Sequence, residues 1–228
     1  MIAGLLLAAG GSRRLGEPKA LLLDATGEPL VARVVQQMGE AGCAEVVVVT
    51  GAARDRVRAA LARTGCPVPV TIVEHDGWAE GMGTSIACGI RHLAACTTSG
   101  NDGTPGHPTL LTATTAALIA AVDMPSVSAD HLAQLCVASD GATRRAASTY
   151  AAADGSIIRG IPAVLPRADW PWLAALDGDR GARVLFADPA TALVPLPDGA
   201  LDLDTPADVA RWRAAHGRLS NSTTSPHA

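Results

Sequence analysis

The sequence predicts an α/β fold in which a mostly parallel sheet is sandwiched between helices. Three observations predict it. Strand-length apolar runs alternate with helix-period segments from the first residues onward, a pattern that parallel sheets with helical crossovers produce. The chemistry-bearing residues cluster just after the apolar runs, where open α/β sheets bind ligands. Finally, 228 residues of which 48% are hydrophobic suffice for one good core, so the length argues for a single domain over residues 1–217.

The first element is the continuous apolar run Ile2–Ala8, too short to cross a membrane and of the length of a strand buried on both faces. No charged region precedes it, and Arg13 and Arg14 follow it, so it reads as a first strand and not a signal segment. Residues 30–38 and 54–62 carry helical patterns, and residues 45–50 (EVVVVT) and 68–73 read as strands. Residues 97–115 (TTSGNDGTPGHPTLLTATT) break the alternation and read as a loop insertion. The run 116–122 is the next strand, and the Ser/Thr-rich residues 218–228 are expected to be a disordered tail. His107 and His227 sit in those two irregular segments and carry little weight as ligands.

Composition excludes several functions. Eighteen Lys and Arg against 22 Asp and Glu give a net charge of −4, so there is no electrostatic footprint for nucleic acid. Aromatics are 3% of the chain, with one Tyr and one Phe, too few for base-stacking platforms. Cys43, Cys66, Cys88, Cys96 and Cys136 are odd in number and show no C-x-x-C pairing, which argues against a disulfide framework and a zinc site and for the reducing cytoplasm. Cys43 and Cys88 read as buried, inert thiols.

Between the first strand and the first helix lies LAAGGSRRLGEPKALL, residues 7–22. Gly10, Gly11 and Gly16 can take positive φ and present no Cβ, so backbone N–H groups can turn toward an anion. Arg14 brings a planar fork of donors suited to phosphate, and Lys19, next to Pro18, brings a point charge for a reacting phosphate. Glycines and cations alone also fit an ordinary strand-to-helix loop. Neither G-x-x-x-x-G-K-[ST] nor G-x-G-x-x-G occurs here.

The whole string resembles the signature L-A-A-G-x-S-x-R-x-G-x-P-K-x-L-L of the MobA-like nucleotidyltransferases, with Leu7, Ala8, Ala9, Gly10, Ser12, Arg14, Gly16, Pro18, Lys19, Leu21 and Leu22 in place. The resemblance implies a Rossmann-like αβα sandwich of the nucleotide-diphospho-sugar transferase type. It also implies that the loop, including Gly11, wraps a nucleoside triphosphate with Arg14 and Lys19 on the phosphates.

Two acidic segments are candidates for a Mg²⁺ site. The strand 116–122 ends in Asp123-Met124-Pro125; an Asp there can cap the helix that begins near Ser128 or, beside a triphosphate, hold a metal. Leu201-Asp202-Leu203-Asp204-Thr205-Pro206-Ala207-Asp208 alternates carboxylates on an extended segment, and one of Asp202 and Asp204 is expected to face the site. Thr205, Pro206 and Asp208 are accounted for by a capping box and a helix start. In the family resembled, D-M-P carries the metal-binding Asp and D-x-D-T-P returns to the same metal, which implies Asp123 and Asp204.

HDGWAEGMGTSIACGI, residues 75–90, places glycines around a helix start at Thr84. Gly81 and Gly83 allow close backbone approach to a flat base, and Thr84 or Ser85 can cap the helix and bond a nucleoside; a plain glycine turn with an N-cap fits as well. The pattern W-x-E-G-M-G-T-S-I-A-x-G-I resembles the molybdenum cofactor cytidylyltransferase branch, which implies CTP. LDGDRGAR, residues 176–183, taken alone is a surface turn. The same branch carries G-D-x-G-A-R here and an upstream G-x-P, so the resemblance implies that Asp179, Arg183, Gly160 and Pro162 border the acceptor's pocket.

The expected function is therefore Mg²⁺-dependent transfer of CMP from CTP to molybdenum cofactor, with release of pyrophosphate. Catalysis is assigned to Arg14, Lys19 and Asp123. A molybdoenzyme of the xanthine dehydrogenase type is the expected recipient of the product, with no nucleic-acid or membrane partner. Transfer of another nucleotide, or to a sugar phosphate, keeps the chemistry. A pterin carrier without turnover is the alternative of a different class, although a carrier has no need of Lys19 opposite Asp123.

Overall fold

The computed structural model describes residues 1–12, 15–98, 114–152 and 154–216. Arg13 and Arg14, residues 99–113 of the expected insertion, and the expected tail lie outside the described residues, as do His107 and His227.

Seven strands form one sheet in the order β3-β2-β1-β4-β6-β5-β7: β1 Ile2–Ala8, β2 Val46–Thr50, β3 Val70–Glu74, β4 Ala116–Ala121, β5 Ala146–Ala151, β6 Ile157–Pro166 and β7 Ala192–Pro195. Neighbours are parallel throughout except at β6, which runs antiparallel to both β4 and β5. The sheet is thus mixed, with one reversed strand in an otherwise parallel array.

Alternation along the strands divides the core into two layers. Leu6 and Ala8 of β1 and Val46 and Val48 of β2 face the layer built with α1 (Leu30–Glu40), α2 (Arg54–Thr64), α4 (Ala129–Ala138) and α6 (Pro206–His216). Leu5, Leu7, Val47 and Val49 face the opposite layer, packed by Ile86, Ile90 and Leu93 of α3 (Met82–Thr98) and Leu173 of α5 (Trp170–Leu173). Leu5 and Leu6 are fully buried, each contributing about 2 kcal/mol through removal from water. At Gly89 a Cβ would come within 2.3 Å of Leu5 Cδ1, so this glycine lets α3 lie directly on β1. That contact brings the start of α3 beside the carboxyl end of β1.

Local signals explain the element ends. Ser128 caps α4 and accepts a hydrogen bond from the His131 N–H at 3.2 Å. The Thr205 N–H donates to Asp208 Oδ2 at 2.8 Å and the Asp208 N–H to Thr205 Oγ1 at 3.3 Å, a reciprocal capping box that starts α6 at Pro206. Helix α3 differs from the sequence reading at both ends. Helix α3 begins at Met82, two residues before Thr84, and it runs through the first two residues of the expected insertion to Thr98.

Candidate active site

Where β1 ends, the chain turns through residues 9–12 and closes on itself. Ser12 adopts φ +45°, and its carbonyl accepts from the N–H groups of Leu15 and Gly16 at 3.1 and 3.3 Å. Its hydroxyl accepts from the Lys19 N–H at 2.9 Å. The serine expected to face a nucleotide thus also fixes the start of the 3₁₀ turn Lys19–Leu21 and, with it, the direction of the Lys19 side chain.

Lys19 reaches across the sheet end to two carboxylates. Its Nζ donates to Asp123 Oδ2 at 2.8 Å and to Asp204 Oδ1 at 2.6 Å. Asp123 follows β4, whose exit is tied to β1 by the Val122 N–H donating to the Leu7 carbonyl at 3.1 Å. It does not cap α4, because Ser128 does so. Asp204 is delivered by the segment leading to α6, with Leu203 buried between Asp202 and Asp204 as an anchor. Burial alone would lower the Lys19 pKa, but Asp123 and then Asp204 outweigh it and raise the pKa above the ordinary lysine value, so the ammonium is charged whenever the carboxylates are ionised.

Asp202 and Asp204 line different cavities, although side chains two residues apart on a regular strand project to one side; residues 201–204 form no strand, and Leu203 is buried between the two. One cavity, of about 530 Å³, is lined by Leu7, Ala8, Ala9, Gly10, Gly11, Ser12, Leu15, Lys19, Trp78, Gly81, Met82, Ser85, Asp123 and Asp204, among others. The second, also about 530 Å³, is lined by Met82, Ile86, Tyr150, Gly160, Ile161, Asp179, Arg183, Asp123 and Asp202, among others. Asp123, Met82 and Ala121 belong to both, so the two spaces meet at Asp123. Asp204, and not Asp202, shares Lys19 with Asp123. The Asp202 carboxyl is pushed up to about 6, first by partial withdrawal from water and then by the nearby charge of Asp123.

Three expected residues lie off these walls. Gly83 faces protein, not a base: a Cβ there would fall 2.3 Å from the Arg180 carbonyl oxygen, and its N–H donates to the Gly178 carbonyl at 2.9 Å. Gly81, at φ +133°, is pressed against the same turn, with Gly178 carbon 2.3 Å from where a Cβ would sit, though it still borders the first cavity. These glycines let residues 177–180 dock on the start of α3, which carries Asp179 and Arg183 into the second cavity. Thr84 is engaged by the His75 Nε2 at 2.9 Å and donates to the Gly81 carbonyl at 2.8 Å. The Pro162 carbonyl accepts from Ser148 Oγ at 2.7 Å inside the sheet, so Pro162 supports β6 and does not line the second cavity. Arg14 lies outside the described residues.

Tyr150, which the sequence did not single out, and Trp78 and Asp202, whose placement it did not give, complete the walls. Trp78 covers the glycine loop: a Cβ on Gly11 would lie 2.8 Å from Trp78 Cη2, and one on Gly51 2.5 Å from Trp78 Cγ. A tryptophan in the loop after a strand, facing two glycines far apart in sequence, leaves no linear signal beyond its own presence. Tyr150, the chain's one tyrosine, and Asp202 line the second cavity.

A carboxyl-end cavity with a glycine loop, a buried-side lysine and two converging carboxylates defines an α/β enzyme that handles phosphorylated nucleotides. The chain matches the MobA-like NTP transferase domain over residues 4–193 and belongs to that family; it is a MobA-like nucleotidyltransferase. A nicotine blue oxidoreductase from Paenarthrobacter nicotinovorans is 33% identical over 188 residues, 81% of each chain. The crystal structure of Rv0371c from Mycobacterium tuberculosis H37Rv superposes with a TM-score of 0.67 at 26% identity, covering 93% of this chain and 97% of that one. The structure of Rv0371c in complex with manganese superposes with a TM-score of 0.64 at 25% identity, covering 94% and 98%.

Proposed function

We propose that this nucleotidyltransferase transfers CMP from CTP to the phosphate of molybdenum cofactor. The observation that carries the reading is the meeting of two cavities of similar size at Asp123, with Lys19 at the junction between Asp123 and Asp204. One cavity has the backbone-rich loop a triphosphate needs; the other is free for an acceptor whose phosphate must reach the same point. The assignment of CTP rests on the W-x-E-G-M-G-T-S-I pattern, whose Trp78, Gly81, Met82 and Ser85 border the loop cavity.

The donor set fits a magnesium ion. Two carboxylates aim oxygens at one place, as their shared hold on a single ammonium demonstrates. Among the described residues no group of three or more His, Cys, Asp or Glu is gathered as a metal cage. Mg²⁺ takes one or two carboxylates and draws its remaining ligands from phosphates and water, so the pair Asp123 and Asp204 suits it. Asp123 and Asp204 would hold it, and when bound it supplies charge neutralisation across the phosphates.

In the reaction an oxygen of the acceptor phosphate forms a bond to the α-phosphorus of CTP. The bond from that phosphorus to the oxygen bridging the β-phosphate breaks, and pyrophosphate leaves. Loop N–H groups around Gly10 and Gly11 orient the phosphates. Lys19 stabilises charge on the departing pyrophosphate, with Arg14 in the same role, and Trp78 packs over the glycine loop that holds the phosphates. The domain working in this way spans residues 1–217.

A second reading has one observation behind it, the name of the 33%-identical relative, an oxidoreductase. A nicotinamide dinucleotide would then occupy the loop cavity. The lysine set between two carboxylates beside the glycine loop matches charge stabilisation on a phosphate, which favours the first reading. Pyrophosphate release with Mg²⁺, molybdenum cofactor and CTP, GTP, ATP or UTP in parallel tests the first reading. Release with CTP alone is expected. Silence with all four, together with NADH or NADPH oxidation by a dye, would replace it with the second.

A further inference from the structure

The mechanism leaves unused two polar side chains that face the acceptor cavity. Tyr150 is held in place by glycines on both sides: a Cβ on Gly199 would sit 2.8 Å from Tyr150 Cγ and Cδ1, and one on Gly160 would sit 3.0 Å from its hydroxyl oxygen. The ring is therefore fixed by packing, with its hydroxyl at the cavity wall. Neither that hydroxyl nor the Asp202 carboxyl makes a hydrogen bond among the described residues. They lie near one another and near Arg183: burial raises the Tyr150 pKa, Arg183 lowers it and Asp202 raises it again.

The cavity's charges limit what it can hold. Asp123, Asp179 and Asp202 face it against a single Arg183 among its lining residues, so its interior repels a dianion. A phosphate is accommodated at the Asp123 junction, where Lys19 stands, and the body of the acceptor must offer donors to the carboxylates. Met82, Ile86 and Ile161 supply an apolar wall, which suits a flat ring with N–H groups on its edge better than a polyol.

We propose that Tyr150 and Asp202 determine acceptor specificity. Asp202 accepts hydrogen bonds from the N–H edge of an aminopyrimidinone-type heterocycle, and the Tyr150 hydroxyl bonds the same ring or its side chain. This rests on the cavity being the acceptor site of the reaction proposed above.

The test measures Tyr150→Phe and Asp202→Asn against wild type with a phosphorylated pterin as acceptor. Three quantities are followed: KM for the pterin, KM for CTP, and binding of the pterin by its own fluorescence without nucleotide. Each variant is expected to raise the pterin KM and dissociation constant about 10-fold, with the CTP KM and the thermal midpoint unchanged. Glucose 1-phosphate should bind wild type and both variants equally poorly. Unchanged pterin constants in both variants, or an equal rise for CTP, would overturn the proposal while leaving nucleotidyl transfer intact. Wild type that binds the pterin in a manner dependent on Tyr150 and Asp202, but releases no pyrophosphate, would refute the reaction and sustain the recognition. Wild type that does not bind the pterin overturns both.

Discussion

The two cavities on either side of Asp123 have the same volume, about 530 Å³ each, but are built from different materials. The loop cavity takes one continuous stretch of its wall from the end of β1 and the glycine turn, Leu7 to Ser12, with Lys19 as its cation. The second is assembled from side chains of α3, β5, β6, the 179–186 segment and the segment before α6. Under the proposed reaction, the difference teaches where specificity would reside. A backbone-lined surface reads phosphates, which every nucleotide carries, whereas a wall of Tyr150, Asp179, Arg183 and Asp202 can be redrawn one residue at a time without disturbing the loop.

Breaking the junction should have the largest effect, because it serves both sides. Lys19→Ala and Asp123→Asn are each expected to lower kcat for pyrophosphate release by about three orders of magnitude. Thermal midpoints close to wild type would show that chemistry, and not folding, is lost.

A smaller effect is expected from the packing that joins the cavities. Gly83→Ala places a methyl 2.3 Å from the Arg180 carbonyl oxygen and 2.8 Å from that of Asp177. Displacing the 177–180 turn should cost about 2 kcal/mol in denaturant unfolding and raise the acceptor KM more than the CTP KM. Equal rises would mean that the two cavities are not separately supported.

Glu45 lies outside both cavities, at the amino end of β2, and serves as a control. It is buried, neither carboxyl oxygen has a hydrogen-bond partner among the described residues, and burial pushes its pKa up from 4.5 to about 7. Between those values the folded protein keeps a proton that the unfolded chain releases, so stability falls as pH rises through that window and levels off above it. Glu45→Gln should flatten the slope and stabilise the fold at pH 8 by about 2 kcal/mol, measured by urea unfolding across pH, with both KM values unmoved. The smallest effect is on metal binding. Lys19 occupies oxygens of Asp123 and Asp204 that a cation would need, so Lys19→Met should bind Mn²⁺ about 10-fold more tightly without nucleotide, read by calorimetry. Weaker binding would place the metal elsewhere.

The sequence revealed the loop cavity far better than the second cavity, for a physical reason. Strand β1, the glycine turn and Lys19 lie within one short stretch, so spacing and local chemistry display them together. That Asp202 and Asp204 meet different cavities was not legible in L-D-L-D, because residues two apart on an extended segment project to one side and their separation depends on how Leu203 docks in the core. Gly81 and Gly83 were legible as sites of close approach, yet what approaches them, the 177–180 turn, is almost a hundred residues away. The reversal of β6 was also invisible: a strand's direction is set by its connections, and its apolar pattern reads the same both ways. Trp78 and Tyr150 are held by glycines distant in sequence, a relation that only the folded chain exhibits.

The most direct test of the central claim is simultaneous occupancy. Asp123→Asn, which should bind without turning over, can be saturated with CTP in the presence of Mg²⁺ and then titrated with a phosphorylated pterin followed by fluorescence. Two adjoining cavities predict that the pterin still binds, with CTP leaving its dissociation constant within a few-fold or tightening it. Competitive displacement of the pterin by CTP would mean that one site receives both, and would contradict the account.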